Sequence, residues 1–393
     1  MKRRSFLAGA AVAAALAGTL GTTTAHADTR ADTRAGTRGG TLAAQPASGA
    51  PALPAPSGHQ PVGRTTVHLK DEGRPDPWVP SEKRELMVSL WYPAVAPSGT
   101  PAPYMTSGES ERYVEAGRLG VPKDLFTTVV THASADARPE RVRGGLPLVI
   151  LSPGFGMPRA TLTGLAEELA SRGYAVAGIG HNYEADGITF PDGHTTSCVA
   201  CEEKDRDKVF EKAGAVRAED ISFVIDELTG KRAARDHGVA LDPGRIAVVG
   251  HSAGGFSTVP AMLKDPRVKA GVNMDGNFRY PDHETPVNRP LLMLGNPGHV
   301  PGGGDPTWDS TWKQFTGWKR WLSVDGTEHL SFTDLAPLAK QLGRPLQALD
   351  GDRADTITRS YVTAFVDTHL RGRGAPLLDG PAAAFPEVRF HRP

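Results

Sequence analysis

The sequence predicts an α/β protein built on a doubly wound, mostly parallel sheet with helices on both faces. Three observations predict it. Short apolar runs without polar alternation, Pro147-Leu148-Val149-Ile150-Leu151 foremost, read as strands buried on both faces. Other segments carry apolar residues at helical spacing, as Ile221, Val224, Ile225 and Leu228 do. The two textures alternate along the chain at the spacing of βα units, which favours parallel strands.

The elements follow in order. Glu85–Tyr92 reads as a strand stopped by Pro93, with Thr65–Leu69 as its partner. A Pro/Gly-rich loop and a short helix over Ser110–Arg118 come next. After the buried run at 147–151, Thr161–Arg172 reads as a helix ended by Gly173, a residue suited to a left-handed cap. Tyr174–Ile179 is the next strand, and 181–213 reads as a long polar loop. A helix carrying Ile221 to Leu228, the strand Arg245–Val249, the helix Ala253–Leu263 and the strands Val268–Met274 and Pro290–Leu294 continue the alternation. Lys319–Val324 reads as the last strand and Ala354–Leu370 as the closing helix. Four of the six tryptophans fall between Trp308 and Trp321. Trp308, Trp312 and Phe315 have the spacing of one helical face. That face either meets lipid or lines a pocket, or it packs into the core beside the last strand.

Residues 1–27 read as an export signal. Lys2, Arg3 and Arg4 precede an Ala/Gly/Leu run that ends at Ala25-His26-Ala27, giving a basic region, an apolar region and a cleavage site. Arg3-Arg4 followed by Phe6-Leu7 resembles a twin-arginine signal, so the expected partner is the twin-arginine export machinery and the expected location is outside the cell. Residues 28–60 are rich in Ala, Thr, Arg, Gly and Pro and read as a disordered linker, and 61–393 as the folded body. The 44 basic and 44 acidic residues cancel, which argues against a nucleic-acid partner. The apolar run near the start is too short to span a bilayer, so no stable membrane anchor is expected. The two cysteines, Cys198 and Cys201, should form a local disulfide outside the cell. With no second pair they make no zinc-type ligand set.

Gly250-His251-Ser252-Ala253-Gly254 carries the chemistry. The apolar strand Arg245–Val249 runs into it and a helix runs out, so Ser252 sits on a sharp strand-to-helix turn with its hydroxyl presented. A Cβ at Gly250 or Gly254 would meet neighbouring backbone. A serine hydroxyl needs a base, expected as a histidine late in the chain on a loop after a strand. His329 fits, whereas His369 lies within a helical pattern and His299 within a Gly/Pro loop. The carboxylate that would orient the base is Asp275, at the tip of one strand, or Asp305, in a glycine-rich loop after the next. Two backbone N–H groups should hold an oxyanion. One is that of Ala253. The other is that of Phe155, set between Gly154 and Gly156 in the loop after the buried 147–151 strand.

These segments resemble the platelet-activating factor acetylhydrolase family (plasma and intracellular type II) of the α/β-hydrolase fold. The resemblance runs through Trp91-Tyr92-Pro93, Ser152-Pro153-Gly154-Phe155-Gly156, the strand ending at His181, the Gly250–Gly255 elbow, Asp275-Gly276-Asn277-Phe278 and Glu328-His329. It implies a serine ester hydrolase without metal or cofactor, acting on short acyl chains of phospholipids, with Asp275 as the acid. The expected enzyme is therefore a secreted carboxylic-ester hydrolase with Ser252 as nucleophile, His329 as base, Asp275 as orienting acid, and no metal. The alternatives are a lipase or cutinase-type esterase cleaving polyesters or triglycerides, and a non-catalytic binding module of the same fold.

Overall fold

The computed structural model describes residues 49–230, 237–280, 282 and 284–393. The expected export signal and most of the expected linker lie outside these residues. Ten strands form one sheet, in the order β12-β11-β10-β9-β8-β4-β5-β2-β1-β3. Here β1 is Val62–Pro75, β2 Lys83–Pro93, β3 Ser134–Ala135, β4 Leu146–Ser152 and β5 Ala175–His181. The short pair β6 (Ile188–Thr189) and β7 (Thr195–Thr196) stands apart. The rest are β8 (Leu241–His251), β9 (Val268–Met274), β10 (Leu291–Gly295), β11 (Lys319–Val324) and β12 (Val388–His391). β5, β4, β8, β9, β10 and β11 run parallel. β2 joins antiparallel to β5, and β1 pairs with β2 with Thr65 opposite Leu90 and Leu69 opposite Leu86.

The continuous apolar runs follow from cover on both faces. Val149, Leu151, Val176, Val249 and Val272 point to α2 (Thr163–Ser171) and to Ile357, Tyr361 and Phe365 of the helix Gly351–Arg371. Leu148, Ile150, Ala177, Ile246 and Val248 point the other way, to Ile221, Val224 and Leu228 of α3 (Arg206–Thr229) and Val259 and Met262 of α4 (Ala253–Lys264). α1 is Ser107–Gly117, so the short helix expected at 110–118 starts earlier. Its start is fixed by Thr106, whose side chain accepts from Glu109 N–H while the Glu109 side chain closes the reciprocal bond.

Chain order places the site. From β4 the chain passes to β5 on one side, whereas β8 and its successors build out on the other. The carboxyl ends of β4 and β8 therefore flank the point where the winding reverses, the usual crevice for ligands in such sheets. Ser152 ends β4 and His251 ends β8, paired in register through Ser152 and Gly250.

Three expectations need correction, and the choice left open for the tryptophans is decided in favour of the core. The linker assigned to 28–60 ends before 49–60, which dock on the body. Leu53 is buried among Tyr104, Met105, Phe126 and Leu338, and Ser57 gives its N–H and Oγ–H to Glu168. Pro51, Pro54 and Pro56 leave this segment little conformational entropy to lose on docking. The loop assigned to 181–213 holds the β6–β7 hairpin and the first turns of α3, which Asp205 caps by accepting from Lys208 N–H. The charges of Arg206–Lys212 hide the helical period there. Lys319–Val324 is not the last strand, because β12 pairs antiparallel with it, Leu322 opposite Phe390. The tryptophans pack inward. Trp308 and Trp321 are fully buried with centroids 5.5 Å apart, and α5 (Pro306–Gln314) ends before Phe315. Among the described residues two further α-helices follow, α6 (Leu335–Gln341) and α7, the Gly351–Arg371 helix.

Candidate active site

Ser252 stands between β8 and α4 with φ 54° and ψ −118°, a backbone state that costs an L-residue energy and that surrounding contacts must hold. Its N–H donates to Met274 C=O at 2.9 Å, and Phe256 N–H donates to its own C=O at 3.0 Å. The tightness of the turn sets the glycines. A Cβ on Gly250 would lie 2.1 Å from the carbonyl of Gly254, and one on Gly254 would lie 1.9 Å from the carbonyl oxygen of Ser152. The elbow and the end of β4 thus pack backbone to backbone.

His329 enters a short 3-10 turn, His329–Phe332, after β11. Its Nε2 lies 2.8 Å from Ser252 Oγ and its Nδ1 2.6 Å from Asp275 Oδ2. The His329 side chain is 38% exposed, so the chain of hydrogen bonds opens to solvent at the imidazole, while the Asp275 carboxylate is fully buried. Asp275 sits at the tip of β9 with φ 59°, its N–H held by Leu294 C=O. Its carboxylate also accepts from Asn296 N–H at 2.6 Å and Asn296 Nδ2 at 3.0 Å. Burial pushes its pKa up. The hydrogen bond and charge of His329, the nearby His299 and the Asn296 N–H outweigh that and hold it below the usual aspartate range, so it stays ionised.

His251, the second residue of the elbow, donates from Nε2 to the His329 carbonyl at 2.8 Å and so fixes the turn that carries the base. Burial, then the nearby His329 ring, lower its pKa to about 3, and it is a neutral donor. Asn296 and His251 were not singled out in the sequence as partners of the site. Asn296 lies in a loop and makes its contacts only through the fold.

Phe155 follows β4, and its N–H meets no acceptor among the described residues, whereas Gly156 N–H is taken by Glu184 C=O at 2.8 Å. Ala253 N–H opens α4, where no preceding turn offers a carbonyl. The Phe155 ring meets Phe210 edge-on at 5.3 Å, and Phe210 meets Phe256. The Arg206 guanidinium lies over Phe155 and Phe210. Phe210 and Arg206 belong to the part of α3 that the sequence masked as loop.

Of the rival residues, Asp305 caps α5, accepting from Thr307 N–H and Oγ–H. His299 stacks on Trp308 at 4.3 Å, with its Nε2 3.5 Å from Asp275 Oδ1. His369 packs between Trp318 and Phe365. Cys198 and Cys201 are joined as a disulfide. With Asp186 they make the one grouping of metal-ligand residue types found among the described residues, and its sulfurs are spent in that bond. A hydroxyl on a strained turn, bonded to an imidazole that a buried carboxylate orients, beside two unengaged N–H groups, is equipped for acyl transfer through a covalent serine ester.

No family model matches the chain. A ferulic acid esterase from Streptomyces cinnamoneus, a solved structure, is 43% identical, covers 87% of this chain and all of its own, and superposes with a TM-score of 0.79. A probable 1-alkyl-2-acetylglycerophosphocholine esterase of Arthroderma benhamiae is 26% identical over 86% of this chain and 93% of its own length. A platelet-activating factor acetylhydrolase of Cavia porcellus is 23% identical over 75% of this chain and 71% of its own.

Proposed function

We propose that the chain, an ester hydrolase of the α/β-hydrolase fold similar to the platelet-activating factor acetylhydrolases, is a secreted serine esterase removing short acyl groups from (phospho)lipid-like esters. The observation that carries the reading is the 2.8 Å contact of His329 Nε2 with Ser252 Oγ, in line with the 2.6 Å contact of Nδ1 with Asp275.

In this reading Asp275, ionised, accepts a hydrogen bond from His329 Nδ1–H, which leaves the Nε2 lone pair facing Ser252. As Ser252 Oγ attacks the ester carbonyl, its proton passes to Nε2. The carbonyl oxygen takes up the negative charge and is held by Phe155 N–H and Ala253 N–H, with α4 pointing its positive end at it. The imidazolium then gives its proton to the leaving alkoxide, which departs as alcohol and leaves acyl-Ser252. Water, deprotonated by Nε2, then attacks the acyl carbonyl, and as the Cacyl–Oγ bond breaks to free the acid the Nε2 proton returns to Ser252 Oγ. Ser252→Ala should lower kcat on p-nitrophenyl acetate by about a thousandfold or more with an unchanged circular dichroism spectrum. A variant that keeps more than a few percent of wild-type activity would sink the reading. Labelling by a fluorophosphonate probe separates it from a non-catalytic module of this fold.

A second reading, esters with an aromatic acid, is favoured by the Phe155–Phe210–Phe256 wall beside Ala253 and by the name of the Streptomyces cinnamoneus relative. Rates on acetate, octanoate and ferulate esters of one alcohol distinguish the two. Export rests on the twin-arginine pattern at Arg3-Arg4, and periplasmic or medium fractions of cells carrying Arg3→Lys plus Arg4→Lys test it.

A further inference from the structure

A second serine, histidine and aspartate lie in line inside the protein. Ser152 Oγ is 2.9 Å from His181 Nε2, and His181 Nδ1 is 2.9 Å from Asp220 Oδ2. Ser152 ends β4, His181 ends β5 and Asp220 lies on α3. Unlike Ser252, Ser152 has ordinary strand backbone, and all three residues are at most 1% exposed. No substrate reaches them. The site mechanism uses none of them, yet they lie directly behind the loop 153–156.

We propose that the chain Asp220–His181–Ser152, with Arg217, is a positioning device that sets the oxyanion loop, and that His181 is its central positioning residue. The inference rests on the function proposed above and adds the means by which Phe155 N–H is held in place. Asp220 is fixed as an acceptor by Arg84, at 3.0 and 2.5 Å, and by Arg74 at 2.6 Å. It therefore accepts a hydrogen bond from His181 Nδ1–H, and Nε2 is left with its lone pair. Ser152 must then donate its hydroxyl proton to Nε2. Its oxygen lone pairs face Arg217 Nη1 at 3.3 Å, and the same nitrogen donates to Pro153 C=O at 2.5 Å. Arg217 Nε donates to Glu184 at 2.7 Å, and the Glu184 carbonyl takes Gly156 N–H. Ser152, Pro153 and Gly156 are thus each pinned by this one network. Between them the N–H groups of Gly154 and Phe155 are left without an acceptor among the described residues. Burial, then the charge of Arg217, depress the pKa of His181 and keep its ring neutral, which preserves the direction of every bond in the chain.

The energetics favour a positioning role over a stabilising one. Arg84, Arg217, Asp76, Asp220 and Glu184 are buried ions, and well-packed apolar side chains of similar volume often stabilise a core as well or better. What ions and directed hydrogen bonds supply in addition is fixed orientation. A displacement of about 1 Å in a group that contacts the reacting atoms costs up to about a hundredfold in rate.

The test compares wild type, Ser152→Ala, His181→Leu and the double variant on p-nitrophenyl acetate. Each is also titrated with a boronic acid that forms a tetrahedral adduct on serine. The expected result is a fall in kcat of about ten- to a hundredfold with KM within twofold. Boronate affinity should weaken by the same factor, and the double variant should be no worse than the poorer single one. His181→Gln, which keeps an acceptor toward Ser152 and a donor toward Asp220, should recover most of the loss. Unchanged kcat with a lowered melting temperature would overturn the proposal, as would kcat losses that simply add in the double variant. Fluorophosphonate labelling of wild-type Ser252 is read in parallel. Absence of label removes the function itself, whereas label together with unchanged kcat in Ser152→Ala removes only this inference.

Discussion

Asp275→Asn is the sharpest perturbation the site allows, because the structure dictates which way the new amide must face. The Oδ1 side receives the backbone N–H of Asn296 at 2.6 Å and so has to remain oxygen. The amide nitrogen is forced to the Oδ2 side, against two donors, Asn296 Nδ2 at 3.0 Å and His329 Nδ1 at 2.6 Å. Asn296 is not free to turn over, because its own Oδ1 accepts Gly298 N–H at 2.7 Å. The conflict is relieved by moving the His329 proton from Nδ1 to Nε2. The ring then points N–H at Ser252 and has no lone pair to take the serine proton. Loss of the correct tautomer in a triad of this geometry costs about 10⁴-fold in kcat, or about 5.4 kcal/mol at 1.36 kcal/mol per tenfold. The assay is kcat on p-nitrophenyl acetate with a thermal melt as the folding control. Asp305→Asn serves as the comparison, since Asp305 caps α5 and Asn caps a helix equally well; it should stay within about twofold of wild type in kcat with helix stability little changed. A loss in Asp275→Asn under about tenfold, or equal losses in the two variants, would refute the reasoning.

Other outcomes follow from packing and charge. Gly254→Ala would put a methyl 1.9 Å from the Ser152 carbonyl oxygen, backbone against backbone, so the protein should be inactive or recovered unfolded; soluble, active variant would contradict this close approach. Cys198→Ser with Cys201→Ser should leave a soluble, folded protein, because a loop this short contributes about 2 kcal/mol by closure entropy; a urea titration measures the loss, and inclusion bodies would count against it. His251 is buried and neutral with its pKa lowered to about 3, below the unfolded value of about 6.5. The unfolded chain therefore binds a proton first as pH falls, and the stability held above pH 6.5 is lost progressively down to about 3. Between pH 7 and 5 wild type should lose about 2 kcal/mol more than His251→Gln in urea unfolding, and parallel curves for the two proteins would dismiss the assignment.

The strands and helices that were legible in the sequence are those whose packing is local in pattern. Val149, Leu151 and Val249 stand in uninterrupted apolar runs because helices cover both faces of the sheet. The G-x-S-x-G turn is legible because two glycines must admit backbone at 1.9 to 2.1 Å, a demand met within five residues of chain. The start of α3 was hidden because its charged outer face carries no apolar period. Residues 49–60 were hidden because Leu53 is their one large apolar side chain, and a single such residue sets no period. β12 was hidden because an edge strand of four residues gives too short a pattern to read.

What the sequence by itself determined was the type of each group, a serine on an elbow, a late histidine, and carboxylates at strand ends. Only the tertiary structure decided which groups meet. Asp275 and His329 are 54 residues apart and Ser252 and His329 are 77 apart, and their contacts depend on where β8, β9 and β11 end in one sheet. The buried line from Asp220 through His181 to Ser152 is wholly of this second kind. Its members come from a helix and two strands, and no spacing along the chain encodes hydrogen bonds that exist only because those elements share one layer boundary.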